Sequence, residues 1–178
     1  GLNISISGRA IVNATGGPYS AGIGGSWHSN GLNISISGSA KVTATGGTWG
    51  AGIGGGKEGN GENIEIFGSA IVNATGSNGA AGIGSGGAGN GSNITISGNP
   101  TIQVTSGEDG FGFGNSLGKS QITISGGTIK TLNCIPFSDV PDLINTNCDV
   151  LSNGKICENR RDDTYTSYAD RFEIIPGA

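Results

Sequence analysis

Gly31–Asn60 reads GLNISISGSAKVTATGGTWGAGIGGGKEGN, and the chain returns to that pattern every thirty residues. Gly1–Asn30 reads GLNISISGRAIVNATGGPYSAGIGGSWHSN, and Gly61–Asn90 reads GENIEIFGSAIVNATGSNGAAGIGSGGAGN. Gly91 opens a fourth copy, GSNITISGNPTIQVTSGEDGFGFGN, before the pattern decays. A fixed period of this length marks stacked units, none of which can bury its apolar face alone. Within each unit three short runs alternate apolar with small polar residues, and Gly, Asn and Ser separate them. Alternation is the strand signal, so each unit is three strands and three corners.

The inward residues follow from the phase. Ile34 and Ile36 face inward from the first run, Ala40, Val42 and Ala44 from the second, Ala51 and Ile53 from the third. Each meets a residue of its own kind one unit away. Corners too brief for a helix cannot carry such strands back and forth without scrambling that match, whereas winding preserves it. The expected fold is therefore all-β: a right-handed parallel β-helix with three strands and about 30 residues per coil, strands about 4.8 Å apart. An antiparallel sandwich also spaces short strands evenly, but it gives no reason for identity at thirty residues. The outward side of the third strand, carrying Gly22, Gly24, Gly52, Gly54, Gly82 and Gly84, is expected to form a wall without side chains. Such a wall either allows tight curvature or receives a flat partner.

At 178 residues the chain fits one domain. The repeats are assigned to 1–133 and an irregular C-terminal cap or docking segment to 134–178. Glycine is abundant, 37 residues, but without the triplet period of collagen. Through Asn133 five basic residues balance five acidic ones, and the net charge of −4 resides in the tail. No basic stripe is present to displace counterions from phosphates, which argues against nucleic acid. No apolar run reaches eighteen residues, which argues against membrane insertion. The chain opens in full repeat register, as a mature form or an excised segment would.

Candidate sites lie at the corners and on the outer faces. Tyr19 and Trp49 hold equivalent places in successive coils, and Trp27 lies in the next corner with His28. Exposed aromatics in loops suit a contact surface, with a large face and a polar edge. These three are the candidate ligand-binding residues. Asn3, Asn33, Asn63 and Asn93 form a column in which amides can bond along the stack. Several asparagines match the N-glycosylation pattern, and Asn13 and Asn73, outward on the second strand, are the best placed. Cys134, Cys148 and Cys157 are confined to the tail; the expectation is one disulfide, Cys148 with Cys157, and one remaining thiol. His28 is the sole histidine, and neither it nor Glu62 with Glu65 makes a catalytic constellation in sequence. No catalysis, metal or cofactor is expected.

Ala51–Gly56 (AGIGGG) and Asn33–Gly38 (NISISG), alternating with Val42–Gly46 (VTATG), resemble the glycine-rich repeats of secreted and cell-surface β-helix proteins. The likeness covers residues 1 to 126. It implies a pectate-lyase-like parallel β-helix, extracellular placement, and an adhesin or carbohydrate-binding role. The dense Asp clusters of calcium-dependent members of that superfamily are missing from these repeats. The expected function is accordingly a non-catalytic extracellular rod presenting a repetitive surface to a glycan or polysaccharide. A structural role is the alternative, with copies of the chain joined head to tail and Arg171 to Ile175 donated as a strand to a neighbour. A polysaccharide-active enzyme ranks third.

Overall fold

The computed structural model describes residues 2–107, 110–114, 120–132, 135–137, 143–145, 148–152, 155–156 and 172–176, with side chains through residue 130. Three sheets run along a rod. The first contains β1 (Leu2–Ile6), β4 (Gly31–Ile36), β7 (Gly61–Ile66), β10 (Gly91–Ile96), β13 (Ile122–Ile124) and β16 (Leu143–Asn145). The second contains β2 (Ile11–Thr15), β5 (Lys41–Thr45), β8 (Ile71–Thr75), β11 (Thr101–Thr105) and β14 (Thr128–Leu132). The third contains β3 (Ile23–Gly24), β6 (Ile53–Gly54), β9 (Ile83–Gly84), β12 (Phe111–Gly114) and β15 (Ile135–Phe137). All these neighbours pair in parallel, as winding requires and as a hairpin meander forbids.

Register follows the repeat. Ile4 lies on Ile34, Ile34 on Ile64 and Ile64 on Ile94. Ile94 then lies on Ile122, so the fourth coil is two residues shorter than its predecessors. Val42 pairs with Val72 in the second sheet, and Ile53 with Ile83 in the third. The inward isoleucines and valines of the middle coils are buried. Each fully buried isoleucine contributes about 1.5–3 kcal/mol of transfer free energy. The core is thus a set of aliphatic columns, one residue type deep and one coil apart.

Asparagine sets the start of each first-sheet strand. Asn3, Asn33, Asn63 and Asn93 have left-handed backbones, with φ of 57°, 55°, 55° and 54°. The turn inserts an extra outward residue, so Gly31, Ile34 and Ile36 all face the core while Leu32 and Asn33 do not. Asn tolerates this conformation better than other side-chain-bearing residues. The amides then bond along the rod: Nδ2 of Asn33 donates to Oδ1 of Asn3 at 2.9 Å, Asn63 to Asn33 at 3.0 Å, and Asn93 to Asn63 at 2.6 Å. The expected column is a ladder. A second column was not anticipated from the sequence. The backbone N–H of Asn60 donates to Oδ1 of Asn30 at 2.8 Å, and that of Asn90 to Oδ1 of Asn60 at 3.0 Å.

The expected glycine wall does not exist as an outer surface. Gly52, Gly54, Gly82 and Gly84 are buried by the chain itself. The third-sheet strands are only two residues long in the first three coils, and Gly54 has φ 134°, which turns its would-be side chain along the stack. A Cβ at Gly54 would meet Gly84 O at 1.8 Å, and one at Gly22 would meet Thr45 N at 2.6 Å. Glycine serves coil-to-coil contact here.

Past the repeats, β15 and β16 continue the third and first sheets in parallel. The chain then reverses. β19 (Phe172–Pro176) pairs antiparallel with β14 and with β17 (Cys148–Ser152), which pairs antiparallel with β18 (Lys155–Ile156). The strand expected to be donated to a neighbour is thus taken up by the second sheet of its own chain. The expected Cys148–Cys157 bridge lies outside the described side chains. No helix among the described residues is long and apolar enough to cross a membrane.

Four substitutions at three positions test this account. Gly54→Ala forces a Cβ onto a backbone carbonyl and destabilises the protein by more than about 4 kcal/mol. Gly17→Ala, where a Cβ meets nothing within 4 Å, changes stability by less than about 1 kcal/mol in the same denaturant titration. Asn63→Ala removes two ladder bonds and leaves alanine at φ 55°, costing about 2–4 kcal/mol. Asn63→Gly relieves the conformational part and is less damaging by about 1 kcal/mol; equal losses for the two would mean that the left-handed backbone is not a constraint.

Candidate functional site

Each coil turns its corners with tight hydrogen-bonded turns. Ser20 N donates to Gly17 O at 3.0 Å, and Ser29 N to Ser26 O at 2.9 Å; one coil on, Gly50 N donates to Gly47 O and Gly59 N to Gly56 O. The third position of both turns is left-handed: Tyr19 and Trp49 at φ 62°, His28 at 53°, Glu58 at 59°, Ala88 at 63° and Gly79 at 69°. Glycine is the residue such a turn favours, because a side chain there carries a steric penalty of roughly 1–2 kcal/mol. Aromatic residues stand at that position in the first two coils.

The two corners are joined across coils. Lys57 N donates to Tyr19 O at 2.9 Å, and Gly87 N to Trp49 O at 2.8 Å. The first corner of one coil is thereby fixed against the second corner of the next, thirty-eight residues further along. Side chains follow the same rule. Lys57 Nζ lies 5.2 Å from the centre of the Tyr19 ring and 5.8 Å from that of Trp27. In the next step up, the Trp49 indole lies over two glycines: a Cβ at Gly79 would meet its Cζ3 at 2.9 Å, and one at Gly87 its Cε3 at 2.4 Å. The glycines of the third coil leave the room in which Trp49 is seated.

The three predicted contact residues therefore share one ridge. Tyr19 and Trp27 have ring centres 5.4 Å apart with planes inclined at 42°. Trp27 stacks on His28 at 4.8 Å and 21°. Trp49 occupies the Tyr19 position one coil along. Tyr19, Trp27 and Trp49 are 36%, 51% and 41% exposed, so each offers ring surface to solvent while part of it is seated. Polar groups flank the rings. His28 Nδ1 is 3.0 Å from Glu58 Oε2, and Lys57 Nζ is 3.8 Å from Glu58 Oε1. Lys57 and Glu58 were not singled out from the sequence as members of this group, although they stand thirty residues from Trp27 and His28 and so in phase with them one coil along. Only the Lys57–Tyr19 contact, at thirty-eight residues, falls outside the period, and the hydrogen bond between the two corners accounts for it.

The other predicted residues are placed apart from the ridge. Asn13 and Asn73 are exposed in the middle of β2 and β8 on the outer face of the second sheet. The Asn33 and Asn93 side chains, which also fit the acceptor pattern, are committed to the ladder as donors. Glu62 accepts a hydrogen bond from Asn60 at 2.9 Å, and Glu65 lies exposed further along β7. Among the described residues no three His, Cys, Asp or Glu side chains converge as metal ligands would.

Trp49 seating can be read directly. Gly87→Ala in a Trp27→Phe background lifts the indole from its bed and shifts its fluorescence to the red. The displaced neighbour is the end of an exposed side chain, so stability falls by less than about 1 kcal/mol. An unshifted spectrum would show that Trp49 does not rest on Gly87.

The chain matches the beta helix repeat family over residues 4–27 and 34–57, which are parts of the first two coils. Each segment takes in the end of a first-sheet strand and the whole of the second- and third-sheet strands that follow, and their thirty-residue offset is the pairing register of the sheets. No curated protein and no solved structure matches the chain. The sequence match and the parallel stacking agree on a β-helix repeat fold.

Proposed function

We propose that this protein is a non-catalytic, extracellular β-helical repeat protein that binds a glycan or polysaccharide along its aromatic ridge, as an adhesion surface does. The observation that carries this reading is the placement of Tyr19 and Trp49 at left-handed turn positions where glycine would be easier. Bulky residues in such conformations concentrate at ligand-contacting sites. Two consecutive coils hold aromatics in this way, and Trp27 joins them from the adjoining corner. Their part-exposed faces suit the apolar faces of sugar rings, with His28, Lys57 and Glu58 alongside to bond hydroxyls. A glycoprotein surface is part of the same reading, with Asn13 and Asn73 as the outward acceptors. A head-to-tail filament made by donating Phe172–Pro176 has less support, since that strand is paired within its own chain.

Trp49→Gly tests the site without disturbing the coil, because the third coil already has Gly79 at this place with φ 69°. Relief of the left-handed strain offsets the lost packing, so stability changes by no more than about 1 kcal/mol. Binding on a glycan array and in titrations with its hits falls at least about tenfold, the loss expected for a central aromatic contact. Undiminished binding by the folded variant rejects the aromatic site.

A further inference from the structure

Resting on that reading, we infer that the ridge selects anionic saccharides, sugars bearing a carboxylate or sulfate group, with Lys57 as the charge partner. The ammonium of Lys57 lies over the Tyr19 and Trp27 rings, 5.2 Å and 5.8 Å from their centres, and its side chain is only 31% exposed. A neutral sugar stacking there has to displace this cation from rings that attract it. An anionic sugar meets it as a counter-ion and leaves it in place. Part-burial strengthens that attraction relative to a pair in open water.

Glu58 is the one acidic neighbour shown beside Lys57, and it pairs with the cation without hydrogen-bonding to it. Its Oε2 bonds His28 at 3.0 Å, whereas its Oε1 stands 3.8 Å from Lys57, beyond a hydrogen bond. The lysine keeps its donors for a ligand. Trp49, seated on Gly79 and Gly87 one corner position along in the same coil as Lys57, supplies the platform for the neighbouring ring of the saccharide. The site thus joins one partly desolvated cation to an aromatic face. Carboxylate and sulfate esters both satisfy this chemistry.

Titration calorimetry with sialyllactose, sulfated lactose and lactose decides the matter. At low salt the charged sugars bind about tenfold or more tightly than lactose, and comparison of the first two separates carboxylate from sulfate. Lys57→Gln closes the gap, Glu58→Gln widens it by removing a like charge, and added salt narrows it. Lactose bound as tightly as its charged derivatives, with Trp49→Gly still weakening binding at least about tenfold, overturns the anionic preference and leaves the aromatic glycan site standing. A gap that persists in Lys57→Gln overturns the role of that lysine. Failure of all three sugars to bind also overturns the inference, while the glycan array independently decides the wider reading.

Discussion

The structure depends on backbone meeting backbone between identical coils. In the third sheet, Gly25 N donates to Gly54 O at 2.8 Å and Gly55 N to Gly84 O at 2.9 Å, and the carbonyls of Gly54 and Gly84 fill the space where a Cβ would stand. That approach leaves no room for side chains on the narrow side of the coil. It also fixes the period, because a coil of another length would move the glycines out from under each other. Isoleucine stacks on isoleucine and asparagine on asparagine because the glycines hold the coils in phase.

The corners keep this constraint at their first residue, since a Cβ at Gly47 would meet the carbonyl oxygen of Gly17 in the coil before. The two residues that follow differ from coil to coil: Pro18 and Tyr19, then Thr48 and Trp49, then Asn78 and Gly79. The second corner changes from Trp27 and His28 to Lys57 and Glu58, then to Gly87 and Ala88. The variation is coupled across coils. Tyr19 carries the Lys57 ammonium over its ring, whereas Trp49 lies against Gly79 and Gly87, the small residues of the third coil that leave it room. A uniform rod acquires a particular surface at its edges without any change to its interior.

Much of the fold was legible because period and phase are one-dimensional quantities. The identity of Ile34 and Ile64, or of Asn33 and Asn63, states directly that they stack. The aromatic ridge was legible in part: Tyr19 and Trp49 share a phase, and Lys57 and Glu58 share theirs with Trp27 and His28, thirty residues before them. What the period does not carry is the corner-to-corner bond by which Lys57 reaches Tyr19, thirty-eight residues away. The glycine side was misread for a different reason. Alternation assigns residues to inside or outside, and it fails when a strand is two residues long and its glycine adopts φ 134°. A third direction, along the stack, then becomes available. The Asn30, Asn60 and Asn90 column shows the same limit, since the side chains of Asn30 and Asn60 serve the backbone of the next coil rather than either face.

Under the proposed function, left-handed turn positions would link stability to recognition. The stacking requires a positive φ at the third residue of each corner, whichever side chain is there. Gly79 meets that requirement without strain; Tyr19 and Trp49 meet it at a cost of roughly 1–2 kcal/mol each. Neither aromatic fills the core, which is complete without them. Trp49 recovers part of the cost by lying on Gly79 and Gly87, and Tyr19 by its contacts with Trp27 and Lys57. Part of each ring is still left facing solvent, and under the proposed function that is the surface a ligand would cover. The first two coils thus carry the aromatics, while the third, with Gly79 and Gly87 where Trp49 lies, serves as support.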